Sequence, residues 1–396
     1  MNAAQGKTRA SRQEYETIRQ REAQSKAYYE RDDGVAAPPH TLCLSVNNNC
    51  FMSCKMCDIG TANASRMARL HENQFSDRYV QTRRYQELPF ERIQDIVDEM
   101  APFDPIIKTN FVEPLLYSRL RETAEYIKAK GLKYYTITNG WMLQKHAPWL
   151  AELADLVRVS LDGTAAVHDG IRGKKDSHAR TIAGLKALVE AKRLAGRKRP
   201  IVGLCYTVSN FNYFNLLECM EGLEREGLLG EVYINFNHLL YTTQWEIDET
   251  RAASPLFVDL KRSSIDNIAL LELRTDVLQG QIEALATRYP QSDYHHYFSP
   301  WLKNEDLEAF YDPATRMFPG TPCYLPWYAA QLDLEGNIGI YGHCILPNLG
   351  NAFDQGFMAA WNSERARQIR LELKQAGSFP ACNKCIGTLY PLRGRE

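Results

Sequence analysis

Three cysteines within eight residues, Cys50, Cys54 and Cys57, stand at a CxxxCxxC spacing. Thiolates so spaced let one short loop grip three corners of an iron–sulfur cubane and leave the fourth iron without a protein ligand. Such clusters ordinarily take four thiolates, so a set of three implies a ligand from outside the chain. Zinc is the sober alternative, although closed structural zinc sites take four ligands and favour CxxC pairs. A second group follows near the C-terminus: Cys323, Cys344, Cys382 and Cys385, at CX20C, CX37C and CX2C spacing. Four thiolates complete the ligand set of one further [4Fe–4S] cluster, and zinc is open to them as well. In a long chain with no export signal, grouped cysteines are metal ligands or reactive thiols more often than disulfides.

Apolar runs of strand type precede and follow the first cysteine group: Thr41–Val46, Pro105–Asn110, Lys133–Thr138, Leu156–Leu161, Pro200–Val208 and Glu231–Phe236. Helical patterns lie between them at about 90–101, 117–130, 143–153, 178–195 and 213–227. Strands alternating with helices mean an α/β fold with a parallel sheet, doubly wound or curled into a partial barrel. Polar residues collect where the runs end: Asn47, Asn110, Thr138-Asn139, Ser160 with Asp162, Ser209-Asn210 and Asn237-His238. Active sites of parallel α/β folds form at that rim.

Four segments emerge. Residues 1–39 read as a charged helical arm ending at Gly34 and Pro38-Pro39, and 40–240 as the strand–helix domain. Residues 241–318 read as a connecting or capping insertion with an aromatic-rich loop. Residues 319–396 read as a small domain built on a hairpin around Glu335-Gly336-Asn337, with a helix at about 356–376. The 396 residues are 44% apolar, which excludes wholesale disorder. Lys and Arg number 47 against 48 Asp and Glu, so the charge is −1 and no basic excess marks a dedicated nucleic-acid binder. No run is long enough to span a membrane and no apolar signal segment opens the chain. The expectation is a cytoplasmic protein without membrane or nucleic-acid partners.

Cys50, Cys54 and Cys57 at the end of the first strand resemble the radical S-adenosylmethionine (SAM) superfamily. The resemblance continues through Thr138-Asn139-Gly140 with Met142-Leu143, then Ser160-Leu161-Asp162-Gly163, His168-Asp169 and Ile171-Arg172-Gly173. Its SPASM/twitch branch is matched by Cys323, Gly336, Cys344, Leu349-Gly350-Asn351, Trp361-Asn362, Cys382 and Cys385. The resemblance covers roughly 41–240 and 319–390. It implies a partial (β/α)6 TIM-like barrel with a small C-terminal α+β iron–sulfur domain of the shorter, single-cluster type. It also implies that the open iron of the first cluster binds SAM, which on reduction yields a 5′-deoxyadenosyl radical that abstracts hydrogen from substrate. Residue by residue, Glu113 falls where the family's carboxylate meets the methionyl amine, and Asn139 lies in the third-strand segment of the cofactor site. Ser160 falls where a hydroxyl meets the ribose, Arg172 where a guanidinium pairs with the carboxylate, and Met56 near adenine. Phe111-Val112 departs from the family's pattern of two glycines before Glu113.

Two residues on the substrate side are candidates for catalysis. Cys205 shares a strand face with Thr207 and Ser209; turned inward, its thiol would return a hydrogen atom to a substrate radical, as an epimerase requires. The other reading is a small buried hydrophobe, as Cys43 and Cys219 are. His238 is an acid–base candidate at the sixth strand's end. The N-terminal arm is shorter than a leader-peptide-binding domain, which favours a small polar substrate such as a sugar, cyclitol or nucleotide sugar. Hydrogen abstraction followed by oxidation is the expected reaction, with epimerisation and peptide modification as alternatives. A reductant such as flavodoxin or ferredoxin is the implied partner. Outside catalysis stand a plain iron–sulfur carrier and a zinc-stapled protein, though a carrier has no use for an open iron.

Overall fold

The apolar runs fold as strands because each offers an alternating face to helices packed outside it. The computed structural model describes residues 12–64, 85–258, 260, 273–290, 296–317, 322–340 and 347–385. Helix α1 (Arg12–Glu30) leads to β1 (Thr41–Leu44) and α2 (Asp58–Ala64). Then come α3 (Phe90–Met100), β2 (Ile106–Thr109), α4 (Leu120–Ala129), β3 (Lys133–Thr138), α5 (Leu143–Leu153) and β4 (Leu156–Ser160). Helices α6 (Ala165–Arg172) and α7 (Ser177–Leu194) precede β5 (Ile201–Val208), and α8 (Leu216–Arg225) precedes β6 (Tyr233–His238). Strands β1 to β6 pair in parallel and in sequence order, which is the expected partial barrel.

Helix α3 shows how the outer layer packs: Ile93, Ile96, Val97 and Met100 form its one buried stripe. These meet the outward residues of the strands, among them Leu42, Leu44, Ile107, Tyr134, Val157, Val159, Leu204 and Phe236, in one continuous core. Helices α5 and α7 approach so closely that a Cβ on Gly184 would lie 2.7 Å from Leu143 Cβ.

The sheet continues on both sides of the six strands. The 241–318 segment supplies α9 (Gln244–Ala253), α10 (Thr275–Arg288), β7 (His296–Ser299) and α11 (Asn304–Tyr311). Strand β7 lies parallel beside β6, within the stretch expected to be loop. On the other edge, β8 (Ala329–Leu332) pairs in parallel with β1, and β9 (Asn337–Ile340) and β10 (Gly350–Asn351) extend the sheet antiparallel. Gly336, at φ +86°, makes the β8–β9 turn, where Asp333 Oδ1 accepts from the N–H groups of Glu335 and Asn337.

The helix expected at about 356–376 is two, α13 (Phe357–Trp361) and α14 (Glu364–Ala376), after the single turn α12 (Ala352–Gln355). The break has a cause. The Asn362 side chain pairs with both backbone groups of Ala36, at 2.8 and 3.0 Å, and Ser363 Oγ caps α14 at Ala366 N–H. Fully buried Arg370 then donates to the carbonyls of Pro326 and Trp361 at 2.9 and 2.8 Å and to Gly34 at 3.2 Å. The chain before β1 is thereby tied to the C-terminal helices. No helix among the described residues is long and apolar enough to cross a membrane.

Candidate active site

The cysteine loop is held by hydrogen bonds to its backbone that do not run through its thiols. Asn63 on α2 donates to the carbonyls of Cys50 and Met52 at 2.6 and 2.8 Å. From the other side, Ser53 and Lys55 N–H donate to the carbonyls of Arg172 and Ile171 at the end of α6. Gly60 lies against Cys54, where a Cβ would stand 2.3 Å from its backbone N and O. Gly173, at φ +62°, would likewise drive a Cβ to 2.8 Å from Ser53 O. Each sulfur meets its own donor. Asn139 Nδ2 reaches Cys50 at 4.0 Å, Arg172 Nη1 reaches Cys54 at 3.7 Å, and the N–H groups of Ile59 and Gly60 point at Cys57 from the start of α2. Burial pushes the thiols of Cys50 and Cys57 up to about 12 and about 11, and the neighbouring Cys54 adds to both.

Among the described residues, no three thiol, imidazole or carboxylate side chains stand at the spacing of a single ion. Three thiols carried on one short loop, each with a hydrogen-bond donor at its sulfur, fit a cluster whose ligands sit on separate irons. Binding must displace the thiol protons.

Glu113 is fully buried beside this loop. Its Oε1 accepts from Thr138 Oγ1 at 2.7 Å and Leu115 N–H at 3.0 Å, and its Oε2 from Asn139 N–H at 2.7 Å. Burial pushes its carboxyl up to about 7 in spite of these three donors. Asn47 fixes it from behind, donating to its carbonyl at 2.9 Å. Phe111 and Val112, which replace the two glycines, take up left-handed backbone at φ +64° and +51°. Such backbone favours glycine and costs other residues roughly 1–2 kcal/mol each, and β-branched Val112 is the more strained. Val112→Gly is therefore expected to stabilise the protein by about 1 kcal/mol in urea unfolding, although Xaa→Gly at a half-buried site normally destabilises.

Arg172 closes the opposite wall. Its Nη2 forms a buried ion pair with Asp162 Oδ2 at 2.5 Å, while its Nε–H meets no acceptor among the described residues. An incoming carboxylate would supply one. Asp162 is set in turn by Thr207 N–H at 2.9 Å. Met56 sits with Met52, Ile171, Leu239 and Tyr241 in a small apolar cluster, against which Trp141 and Phe211 pack. These residues come from the loops after β1, β3, β5 and β6 and from α6 after β4, and they cover the rim of the barrel against water.

Below the rim, alternation turns polar residues inward. Lys108, Arg158, Ser160, Cys205, Tyr233, Asn235 and Asn237 occupy the face opposite the apolar core. Gly203 makes room for Tyr233: a Cβ there would touch its ring at 2.3 Å, and the Tyr233 hydroxyl accepts from Arg158 Nε at 2.8 Å. Cys205 pairs across with Ser160 and Asn235 and feels Arg158, Lys108, Asp162 and Arg172 electrostatically; burial nonetheless raises its thiol pKa. Asn235 is 5% exposed, and its Oδ1 meets no donor among the described residues. His238 goes the other way. It has the parity of Phe236 and packs outward against Phe298, Phe310 and Tyr311, with Nδ1 2.7 Å from Tyr311 Oη. Burial lowers it to about 3, so it is a neutral imidazole on the face away from Cys205.

The C-terminal thiols Cys323, Cys382 and Cys385 also act on one another electrostatically; Cys344 lies outside the described residues. Asn383, between the last two, donates to Glu246 Oε1 at 2.8 Å and accepts from Met317 N–H at 2.8 Å. Lys384 donates to Tyr241 Oη at 2.7 Å, so one tyrosine touches the apolar rim with its ring and the second cysteine loop with its hydroxyl. Sequence reasoning missed Lys108, Arg158, Lys384 and the Asp162–Arg172 pair. A charge inside an otherwise apolar strand was the available signal for the first two.

Comparison with known proteins agrees with this arrangement. The profile of the radical SAM superfamily matches residues 44–209, and that of the SPASM iron–sulfur cluster-binding domain matches residues 323–386. An Fe-coproporphyrin III synthase of Methanosarcina barkeri is 29% identical over 187 residues, 44% of each chain. The AdoMet-dependent heme synthase of the same organism is 33% identical over 109 residues, 26% of this chain and 31% of that one. The chain thus spans less than half the length of these curated relatives. Among solved structures, Streptococcus suis SuiB bound to S-adenosylmethionine superposes with a TM-score of 0.54 at 13% identity, over 90% of this chain and 72% of that one. The protein anSMEcpe with bound AdoMet does so at 0.55 and 13%, over 84% and 80%. At such identity these two show a shared fold. With both profiles falling on the segments that carry the two cysteine groups, the chain belongs to the radical SAM superfamily, in the branch whose C-terminal SPASM domain holds auxiliary iron–sulfur chemistry, and it uses SAM with a [4Fe–4S] cluster.

Proposed function

We propose that the enzyme abstracts hydrogen from a carbon–hydrogen bond of a small polar substrate bearing an anionic group, and that the outcome is oxidation. The observation that carries this is the inward face of Lys108, Arg158, Cys205 and Asn235, within electrostatic reach of the Asp162–Arg172 pair under the cluster loop. The two cations suit a carboxylate or phosphate, and the buried Asn235 Oδ1 suits a hydroxyl or amine. Cys50, Cys54 and Cys57 would hold the SAM-binding cluster, and Cys323, Cys344, Cys382 and Cys385 the auxiliary one. Glu113, Asn139, Ser160, Arg172 and Met56 would receive SAM. When bound, the reduced cluster and SAM supply a carbon-centred radical, with the auxiliary cluster as sink for the second electron. The apolar rim from Met52 to Tyr241 keeps water from that reaction space. A flavodoxin or ferredoxin is the proposed reductant, and the cytoplasm the proposed compartment.

One observation favours epimerisation as a second reading. The Cys205 thiol faces inward with its pKa raised, which keeps it protonated and able to donate a hydrogen atom. The test presents the loaded enzyme, SAM and reductant in deuterium oxide with a panel of carboxylated and phosphorylated sugars and cyclitols. A product lighter by two hydrogens, with unchanged yield in Cys205→Ala, is the expected result. An isomer carrying one deuterium, lost in Cys205→Ala, would establish the epimerase. Deoxyadenosine formation stimulated by peptides and by no member of the panel would overturn the small-substrate reading.

A further inference from the structure

We infer that Arg172, held in place by Asp162, sets the reduction potential of the SAM-binding cluster through the sulfur of Cys54. This stands on the family assignment alone, so the substrate reading can fail without it. Of the three cluster thiols, Cys50 meets a neutral amide and Cys57 meets backbone N–H groups, whereas Cys54 takes its hydrogen bond from a guanidinium, at 3.7 Å. The triad is dry: Cys54 is 5% exposed, Arg172 8% and Asp162 not at all. Charges so buried interact far more strongly than they would in water.

The guanidinium is positioned from two directions. The Arg172 carbonyl accepts Ser53 N–H at 3.1 Å, next to Cys54 in the loop, and its Nη2 is locked on Asp162. Asp162 is fixed by Thr207 N–H on Oδ1, and its own N–H donates to His168 Nδ1 at 3.1 Å. The SLDG, HD and IRG segments are thus one assembly that delivers a cation to one thiolate.

An electron entering the cluster adds negative charge that spreads onto the thiolate sulfurs, and hydrogen bonds to those sulfurs are among the determinants of potential. Arg172 favours the reduced state, and Asp162, close behind it, offsets part of that effect. The two residues therefore act with opposite signs, which a purely structural role does not produce.

The experiment is an EPR-monitored redox titration of the full-length holoenzyme without SAM, in wild type, Arg172→Gln, Arg172→Lys and Asp162→Asn. The relevant cluster is the one whose signal changes when SAM is added afterwards; the auxiliary cluster is the internal control. At a fixed solution potential, Arg172→Gln is expected to lower the reduced-to-oxidised ratio about tenfold, which is 59 mV for a one-electron couple. Asp162→Asn is expected to raise the ratio by a similar factor. Arg172→Lys, which keeps the charge, should stay within about twofold of wild type, and the auxiliary cluster should not move. Ratios within twofold of wild type in both Arg172→Gln and Asp162→Asn, or shifts of the same sign, would overturn the inference. If Arg172→Gln does not hold its cluster, Asp162→Asn decides alone: no rise in the ratio overturns it.

Discussion

Replacing Cys50, Cys54 and Cys57 together by alanine is expected to leave a folded protein that holds about four irons per chain instead of about eight. Its deoxyadenosine formation should fall at least about a thousandfold, to background. The fold should survive because the loop's architecture does not run through its thiols. Asn63 holds the carbonyls of Cys50 and Met52, α6 holds Ser53 and Lys55, and Gly60 packs on the Cys54 backbone. The reciprocal variant, Cys382→Ala with Cys385→Ala, should also fall to about four irons while SAM cleavage persists. Iron and acid-labile sulfide counted after anaerobic reconstitution decide the matter. Iron near zero with one or two zinc ions per chain would refute a two-cluster enzyme.

The second large effect belongs to Glu113. In Glu113→Gln the side chain keeps its size but offers one acceptor oxygen, whereas Thr138 Oγ1, Asn139 N–H and Leu115 N–H all donate to the carboxylate. At least one donor then faces an NH2 group, at a cost of about 1–3 kcal/mol. If Glu113 receives the amine of SAM, SAM affinity should fall at least about tenfold, about 1.4 kcal/mol. The pH dependence is a separate check. The folded carboxyl titrates at about 7 against an ordinary 4.5, because burial penalises its charge. Between those values the folded state binds more protons than the unfolded one. The stability contributed by this group is therefore present below about 4.5 and lost as pH rises to about 7, by up to about 1.4 kcal/mol per pH unit. Urea unfolding of wild type and Glu113→Gln at several values from pH 5 to pH 8 should show wild type losing ground up to about pH 7 and holding steady above it. Parallel curves would mean that Glu113 does not titrate in this window.

The parallel strands were legible in the sequence because each is an apolar run bounded by polar residues, and β3 and α5 fall within the very residues expected. Strand β7 was not. His296–Ser299 lies in a stretch dominated by aromatic and polar residues and is identified only by its pairing with β6. The break before α14 had a local signal, Ser363 three residues before Ala366, but what enforces it is Asn362 on Ala36, a contact across the whole chain. The cysteines of the first site could be read from spacing because one loop carries them all. The partners of those thiols could not: Asn139 arrives from the end of β3 and Arg172 from the end of α6. His238 looked like a rim residue because it follows an apolar run, and only the register of β6 shows it on the outer face.

Strand β1 has one more property. It carries the cluster loop and is central in the finished sheet, yet its two neighbours are made at very different times. Residues of β2 pair with it on one side, while on the other Thr41 waits for Ala329 and Leu44 for Leu332. During synthesis β1 is therefore an unprotected edge for most of the chain's length, and its second row of backbone hydrogen bonds closes only when the C-terminal hairpin emerges. So distant a pairing is slow to form and exposes the nascent chain to aggregation. Truncation before β8 accordingly removes more than the auxiliary domain, since it strips one flank from the strand on which the radical chemistry is mounted.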